Sequence, residues 1–346
     1  MTAFPPAAGS AQMVAQSISR SRHLLAVTHT NPDGDAIGSL VGFSHIAKAL
    51  GIEVRLYCDS PVPDFLDWVE YPSPPVMTLA DLGDWKPDTV VFLDCADEHR
   101  AGEEMAAFAA SCRSKSAECA GTTLICIDHH MANPLFADVN WVDSTMSATG
   151  IMVGLLAREL ALPLSGPTGE AIYLAIVSDT GSFSFSNTNA LALELAAEIV
   201  RNGLSLADFT NKYENTWTLS RMNLWGSLMR EVKILCGGKV AISVVTEAHL
   251  QKYGAHKSDL EGYASWLRRL KGTKVVILAR AKRVGTKVSL RSMGDVDVQE
   301  IAAEFGGGGH KGAAGVDMRQ EPFEAADLIL KAACRAMGES ACSLQP

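Results

Sequence analysis

The sequence predicts an α/β protein: a domain built on a parallel sheet, followed by a smaller α/β unit. Three observations predict it. Short apolar runs at 24–27, 89–93 and 123–127 alternate with segments of helical period, which is the pattern of successive β–α units. Each run ends, within a few residues, in Asp or His. A turn at Cys236-Gly237-Gly238-Lys239 then interrupts the chain, the strand and helix pattern restarts, and the charge balance reverses.

In order, residues 1–12 are rich in Pro, Ala, Gly and Ser and read as a loose tail, with a helix starting near Gln12. Leu24-Leu25-Ala26-Val27 is a buried strand. After a Pro/Gly turn, Ile37, Leu40, Val41, Ser44 and Ala47 recur at helical spacing up to Gly51, a C-terminal stop. An alternating strand spans 53–58, proline-broken sequence spans 60–86, and two fully apolar strands follow at 89–93 and 123–127. Helical patterns fill 148–162, 168–177, 191–202 and a further stretch to about Lys233. Beyond the turn, the second unit reads strand 240–245, helices 247–253 and 258–270, strands 274–280 and 286–291, and helix 298–305. A glycine run at 306–309 and a closing helix 322–337 complete the chain.

Composition narrows the function classes. The chain has 346 residues, is 47% hydrophobic and carries a net charge of −9, which disfavours non-specific wrapping of long nucleic acid. The charge is uneven: residues 1–235 carry 14 Lys/Arg against 27 Asp/Glu, and residues 236–338 carry 16 against 11. That suits a metal-binding body followed by an anion-holding unit, although solvated surface would also account for it. The eight cysteines form no Cys-x-x-Cys pair and read as reduced thiols. With no basic-then-apolar start and no apolar run approaching the ~20 residues of a membrane span, the expectation is a cytoplasmic protein with no membrane partner.

The chemistry concentrates at the strand ends. His29-Thr30-Asn31-Pro32-Asp33-Gly34-Asp35 places an imidazole and two carboxylates in one turn; it is either an ordinary polar turn or a cation site, since crowded carboxylates repel one another. Adding Asp94, His129 and Asp179 gives four carboxylates and two imidazoles without a thiolate. Such an O/N set suits Mn²⁺ or Mg²⁺ better than a structural zinc. Four carboxylates exceed what one open divalent site uses and match two ions bridged by one carboxylate, ~3.5–4 Å apart, holding a hydroxide and gripping a phosphoryl group. His130, adjacent to His129, reads as a phosphate contact, as the acid for the leaving oxygen, or as a histidine satisfied by its neighbours. Gly306–Gly309 with His310 and Lys311 is either a flexible linker or a backbone anion nest, and Arg291 offers a planar fork that matches phosphate.

The motif set His-x-Asn-Pro-Asp-Gly-Asp-Ala-x-Gly-Ser, the strand ending in Asp94, Asp128-His129-His130, Ser178-Asp179-Thr180 and Gly-Gly-Gly-Gly-His resembles the DHH phosphoesterase superfamily. With Leu290-Arg291-Ser292 ahead of the glycine run, it is most similar to the bacterial oligoribonucleases (nanoRNases) that also dephosphorylate 3′-phosphoadenosine 5′-phosphate. The likeness spans about residues 13–338. It implies a catalytic domain over 13–205 with helices on both faces of its parallel sheet, and a helical linker over 206–235. A substrate-binding domain over 236–338 would face the catalytic domain across a cleft.

It further implies two Mn²⁺ ions per chain, with Mg²⁺ as the alternative. One lies near His29, Asp33 and Asp94 and the other near Asp35, Asp94, His129 and Asp179, with Asp94 bridging. Asp94, Asp128 and His130 would carry the catalysis. Arg291, Ser292, Gly307, Gly308, Gly309, His310 and Lys311 would hold short RNA oligonucleotides or a nucleotide bisphosphate, and a homodimer is compatible with the family. One departure is Ser184, where the branch often carries Arg; this bears on substrate preference and not on the metals. The competing readings are a cyclic- or linear-dinucleotide phosphodiesterase, a single-strand-specific exonuclease and a non-catalytic nucleotide sensor.

Overall fold

The computed structural model describes residues 7–115, 119, 121–340 and 343–344. The chain divides into two units, Met1–Thr216 and Trp217–Pro346, each with its own sheet. The stretch expected as a helical linker is shared between them: Leu206–Tyr213 belongs to the first and Leu219–Glu231 to the second.

In the first unit, β1 (His23–Val27), β2 (Glu53–Tyr57), β3 (Thr89–Leu93), β4 (Thr123–Asp128) and β5 (Val139–Val142) form a parallel sheet of order β2-β1-β3-β4-β5. Its inner strands β1, β3 and β4 are almost wholly apolar because both faces are covered, whereas the edge strands β2 and β5 carry Glu53, Arg55 and Asn140. Leu24, Ala26, Val91, Leu93, Ile125 and Ile127 join one core with α1 (Ala11–Ile18), α2 (Gly34–Ala49), α4 (Thr149–Glu159), α5 (Gly166–Asp179) and α6 (Ala190–Arg201). Leu25, Val27, Val90, Phe92, Leu124 and Cys126 join the other, with α3 (Glu103–Arg113). β5 escaped the sequence reading because four residues, one of them Asn140, carry too little pattern; pairing with β4 sustains it. Helix α7 (Leu206–Tyr213) closes this unit through Phe209.

This topology fixes where the site lies. The chain leaves β1 for the neighbour on one side, β2, and returns on the other side as β3, so loops after β1 and β3 diverge at the carboxyl edge of the sheet. In open α/β sheets that divergence is where ligands bind. A second device brings α5 to the same edge. Gly34, Gly38 and Gly42 form a stripe on α2, and a Cβ on Gly38 would sit 2.4 Å from the Ala171 carbonyl oxygen of α5. The absent side chains let α5 lie close against α2, which sets Asp179 at its C-terminal end near Asp35 at the start of α2.

The second unit opens on an aromatic cluster: the Arg221 guanidinium lies 4.7 Å from the Trp217 ring and 5.2 Å from Trp225, which in turn packs on Tyr263. Its elements are α8 (Leu219–Glu231), β6 (Lys233–Leu235), β7 (Val240–Val245), α9 (Glu247–Tyr253), α10 (Tyr263–Leu267), β8 (Val275–Ala281), β9 (Thr286–Ser292), α11 (Val298–Ala303), β10 (Gly308–His310), β11 (Ala313–Met318) and α12 (Pro322–Ala336). They form a mixed six-stranded sheet, β10-β11-β9-β8-β7-β6, with only β7 and β8 parallel. One face carries α11 and α12, the other α8, α9 and α10.

One expectation is corrected here. The helix read over 258–270 is a 3-10 turn at Lys257–Leu260 and a short α10, broken at Gly262, which has φ +78°. Of the two readings of the glycine run, the flexible linker does not hold. Gly308, Gly309 and His310 pair with β11, where a Cβ on Gly307 would meet the Gly315 carbonyl oxygen at 2.4 Å. The glycines are there in part because two backbones pack together.

Among the described residues Cys58, Cys95, Cys112, Cys119, Cys126 and Cys334 are free and buried, and Cys236 is buried; Cys342 lies outside those residues. Among the described residues no helix is long and apolar enough to cross a membrane.

Candidate active site

The turn after β1 is shaped by its own backbone. Asn31 takes φ +53°, and Asp33 caps α2, its Oδ1 accepting the N–H groups of Asp35 (3.0 Å) and Ala36 (3.1 Å). Asp94 also sits in the left-handed region, at φ +61°. A non-glycine residue held there costs on the order of 1–3 kcal/mol, and such strain gathers where function over-determines the backbone. Ser182 and Phe183, just beyond Asp179, are left-handed as well. In that turn the Ser184 hydroxyl bonds the Gly181 carbonyl.

Seven of the sequence-predicted residues come together. Three sets place their ligand atoms within 4.8 Å of one another: His29, Asp33 and Asp94; Asp35, His129 and Asp179; and Asp94, His129 and His130. Asp94 belongs to two of the sets and His129 to two.

The histidine tautomers follow from the partners. His29 Nδ1 lies 2.9 Å from the Thr30 carbonyl and His129 Nδ1 lies 3.1 Å from the Met146 carbonyl. A carbonyl only accepts, so both Nδ1 atoms carry hydrogen and both Nε2 atoms face inward. His29 Nε2 stands 3.6 Å from Asp94 Oδ2. His129 Nε2 stands 3.7 Å from Asp35 Oδ2, 3.6 Å from Asp94 Oδ1 and 3.5 Å from Asp179 Oδ2.

These distances exceed a hydrogen bond. They approach the roughly 3–3.5 Å between adjacent ligand atoms around a cation with ~2.1 Å bonds. The donor set therefore fits divalent cations, bound by carboxylate oxygens and imidazole nitrogens.

The electrostatics agree. Burial raises the Asp35 carboxyl well above its ordinary value, and the Asp94 and Asp179 charges raise it further. Burial, only partly offset by His129, pushes Asp179 up to about 7. His129 is disfavoured as a cation by burial, yet Asp179, Asp94 and Asp35 overcome this and push it up to about 10. Burial works against an ionised Asp94, but contact with His29 and the fields of His130 and His129 hold it far below the usual carboxylate range. Without cations, this cluster keeps protons to contain its own repulsion.

His130 has a different surrounding from His129. Its Nδ1 bonds Asp128 Oδ1 at 2.7 Å, and Asp128 is fully buried. Asp128 Oδ2 accepts from Asn133 Nδ2 at 2.7 Å, while Asn133 Oδ1 accepts the Leu135 N–H. The carboxylate thus fixes the His130 ring and stabilises its protonated form, the arrangement of an oriented general acid. Burial alone would lower His130; the Asp128 hydrogen bond reverses that and raises it.

Sequence reasoning missed four groups here. Thr149 is fully buried; its hydroxyl donates to Asp94 Oδ1 (2.8 Å) and its N–H to Asp35 Oδ2 (2.7 Å). The Gly150 N–H donates to Asp35 Oδ1 at 2.9 Å, and Ser39 Oγ donates to the same oxygen at 2.9 Å. Asn133 is the fourth. One signal was available: α4 begins at Ala148-Thr149-Gly150 with no side-chain cap of its own, so its first N–H groups needed an acceptor from elsewhere. Asp35 is that acceptor.

The predicted binding residues of the second unit lie on β9, on β10 with Gly307 just before it, and in the turn before β11. Arg291 pairs across the sheet with Ala313, and His310 pairs with the same Ala313 from the other side. Arg291 Nε bonds Ser265 Oγ at 3.2 Å and Nη1 bonds the Leu290 carbonyl at 2.9 Å, which fixes the guanidinium plane. Burial and the Arg268 charge lower Arg291 from its ordinary value. Ser292 is buried, and its hydroxyl donates to the Lys311 carbonyl at 3.1 Å. It shapes the Lys311 turn and does not offer itself outward. Lys311, Gly308, Gly309 and His310 are exposed.

Comparison with known proteins gives a consistent picture. The model of the DHH family N-terminal domain matches residues 23–191, and that of the DHHA1 domain matches residues 237–339. The chain is 33% identical to the bifunctional oligoribonuclease and PAP phosphatase NrnA of Thermus thermophilus, over 84% of this chain and 83% of that one. It is 26% identical to the protein of the same name from Bacillus subtilis, over 87% and 90%. Among solved structures, an exopolyphosphatase-related protein from Bacteroides fragilis superposes with a TM-score of 0.85 at 25% identity, covering 94% of this chain and 95% of the other.

Proposed function

The chain belongs to the DHH family, and on that premise we propose that it is a metal-dependent phosphoesterase of short substrates. It hydrolyses short oligoribonucleotides to mononucleotides and removes the 3′-phosphate of 3′-phosphoadenosine 5′-phosphate. The observation that carries this reading is the pair of ligand sets, His29/Asp33/Asp94 and Asp35/His129/Asp179, joined by Asp94 and His129 through the third. The relatives named for the two activities support the substrate class.

In this reading the cations are Mn²⁺, two per chain, which when bound supply Lewis acidity and lower the pKa of water. The chain's own residues do the rest. Asp94, held low in pKa, stays ionised between the two sets. His130, oriented by Asp128, contacts the phosphoryl group or gives its proton to the leaving oxygen. The domain assignment follows: residues 13–205 carry the chemistry and 236–338 the binding. There Arg291, with its plane fixed, takes a phosphate, and His310, Lys311 and the backbone of Gly307–Gly309 complete the recognition. Ser292 serves by holding the Lys311 turn.

A product-resolved assay tests the proposal. Dinucleotides through decanucleotides and 3′-phosphoadenosine 5′-phosphate are each incubated with the Mn²⁺-loaded protein. Mononucleotides from the short chains, and adenosine 5′-monophosphate with inorganic phosphate from the bisphosphate, are the expected products. Hydrolysis restricted to cyclic or linear dinucleotides, or none at all, would overturn it.

A further inference from the structure

We propose that Thr149 is the positioning residue that makes Asp94 a shared carboxylate, an inference that rests on the two-cation reading above. Each carboxylate oxygen offers two directions for a donor or a cation. The Thr149 hydroxyl, fully buried, takes one direction of Asp94 Oδ1 at 2.8 Å. Around the same oxygen stand His129 Nε2 at 3.6 Å and His130 Nδ1, itself bonded to Asp128, at 3.8 Å. Among the described residues Asp94 Oδ2 receives no hydroxyl, and it stands 3.6 Å from His29 Nε2. The hydroxyl therefore fixes the carboxylate plane so that one oxygen serves each ligand set.

A carboxylate without this constraint can turn and give both oxygens to a single ion. The same residue ties down the other set, because its N–H holds Asp35 Oδ2 at 2.7 Å and its neighbour Gly150 holds Oδ1 at 2.9 Å. One residue at the start of α4 thus positions a ligand candidate of each set, and Asp35 in return caps that helix. Thr149 touches no reacting atom in this scheme. It acts through Asp94 and Asp35.

Thr149→Val keeps the volume and the backbone N–H but removes the hydroxyl; Thr149→Ala does so with less steric demand, and Thr149→Ser restores it. Mn²⁺ titration by calorimetry, paramagnetic resonance of the loaded protein and thermal unfolding are run on all four proteins. The wild type is expected to bind two ions with an exchange-coupled spectrum. The Val and Ala variants are expected to weaken at least one ion by about 10- to 100-fold, to lose the coupled spectrum in favour of a mononuclear one, and to lower kcat more than they change KM. Ser is expected to return affinity to within a few-fold. A wild type that takes up no Mn²⁺ would instead overturn the two-cation reading itself. Two coupled ions at wild-type affinity in either the Val or the Ala variant would overturn the role of Thr149 alone.

Discussion

The first unit gathers its chemistry at the carboxyl end of a buried parallel sheet; the second offers Gly308, Gly309, His310 and Lys311 along the open edge of a mixed one, with Arg291 and Ser292 two strands in on β9. Asp35, Asp94, Asp128 and Thr149 are all buried, and each is held by named hydrogen bonds. By contrast Gly308, Gly309, His310 and Lys311 are exposed, on a three-residue edge strand and its turn. The difference teaches how each can fail. A buried set of like charges tolerates no missing partner, because the remainder stays desolvated and unpaired. An exposed edge loses one contact at a time, and water replaces it. Changes in the first unit should therefore alter metal content, stability and turnover together, whereas changes in the second should alter binding alone.

The largest effect should come from Asp94→Ala, which removes the residue common to two ligand sets. Activity should fall by on the order of 10³-fold or more, and elemental analysis should find the metal lost. Two metals per chain in this variant would break the contrast at its strongest point.

Next come the two histidines. His129→Ala should reduce metal occupancy, since its Nε2 faces three carboxylates. His130→Ala should keep its metals and lose turnover by about 10²- to 10⁴-fold, because its ring is engaged by Asp128. Equal metal loss in both variants would erase the distinction.

Stability against pH sharpens the comparison further. His129 rises to about 10 in the fold from an ordinary 6.5, so its contribution is full below 6.5 and disappears as pH climbs towards 10. Asp179, raised from 3.8 to about 7, also favours the fold only while protonated, and that contribution is lost as pH passes from about 4 to 7. The chelated protein should therefore lose Tm steadily from pH 6.5 to 10. The Tm gained on adding Mn²⁺ should grow over the same window, because protons compete less for the ligands. A gain independent of pH, by scanning calorimetry, would contradict the link between proton retention and cation binding.

The smallest effect should be that of Arg291→Ala in the second unit. Loss of one charge-assisted contact is worth about 1.5–3 kcal/mol, which raises KM by roughly 10- to 150-fold while metal content holds. A matching fall in kcat at unchanged KM, from steady-state kinetics, would move Arg291 out of the binding role.

Much of this arrangement was legible in the sequence, and the exceptions have a common cause. The strand ends were readable because apolar runs stop abruptly at Asp94, Asp128 and the turn holding His29, and a parallel sheet puts such ends on one edge. Thr149, Ser39 and Asn133 were not, because an isolated hydroxyl or amide in a helix or loop has no periodicity, and only the fold brings it to Asp35, Asp94 or Asp128. Ser292 was readable as a neighbour of Arg291, but its burial and its bond to the Lys311 carbonyl follow from the pairing of β9 with β11. The strand pairing of Gly308 and Gly309 was not legible for a related reason: glycine serves close backbone packing and anion contact alike, and a run of four has no periodicity to mark a strand.

The central claim is that two cations share Asp94. The most direct measurement is an anomalous difference map of crystals of the full chain soaked in Mn²⁺, collected on either side of the manganese absorption edge. The account predicts two peaks per chain about 3.5–4 Å apart, one against His29 and Asp33, the other against Asp35, His129 and Asp179, with Asp94 between them. A single peak, or two peaks with Asp94 bound to only one, would contradict it.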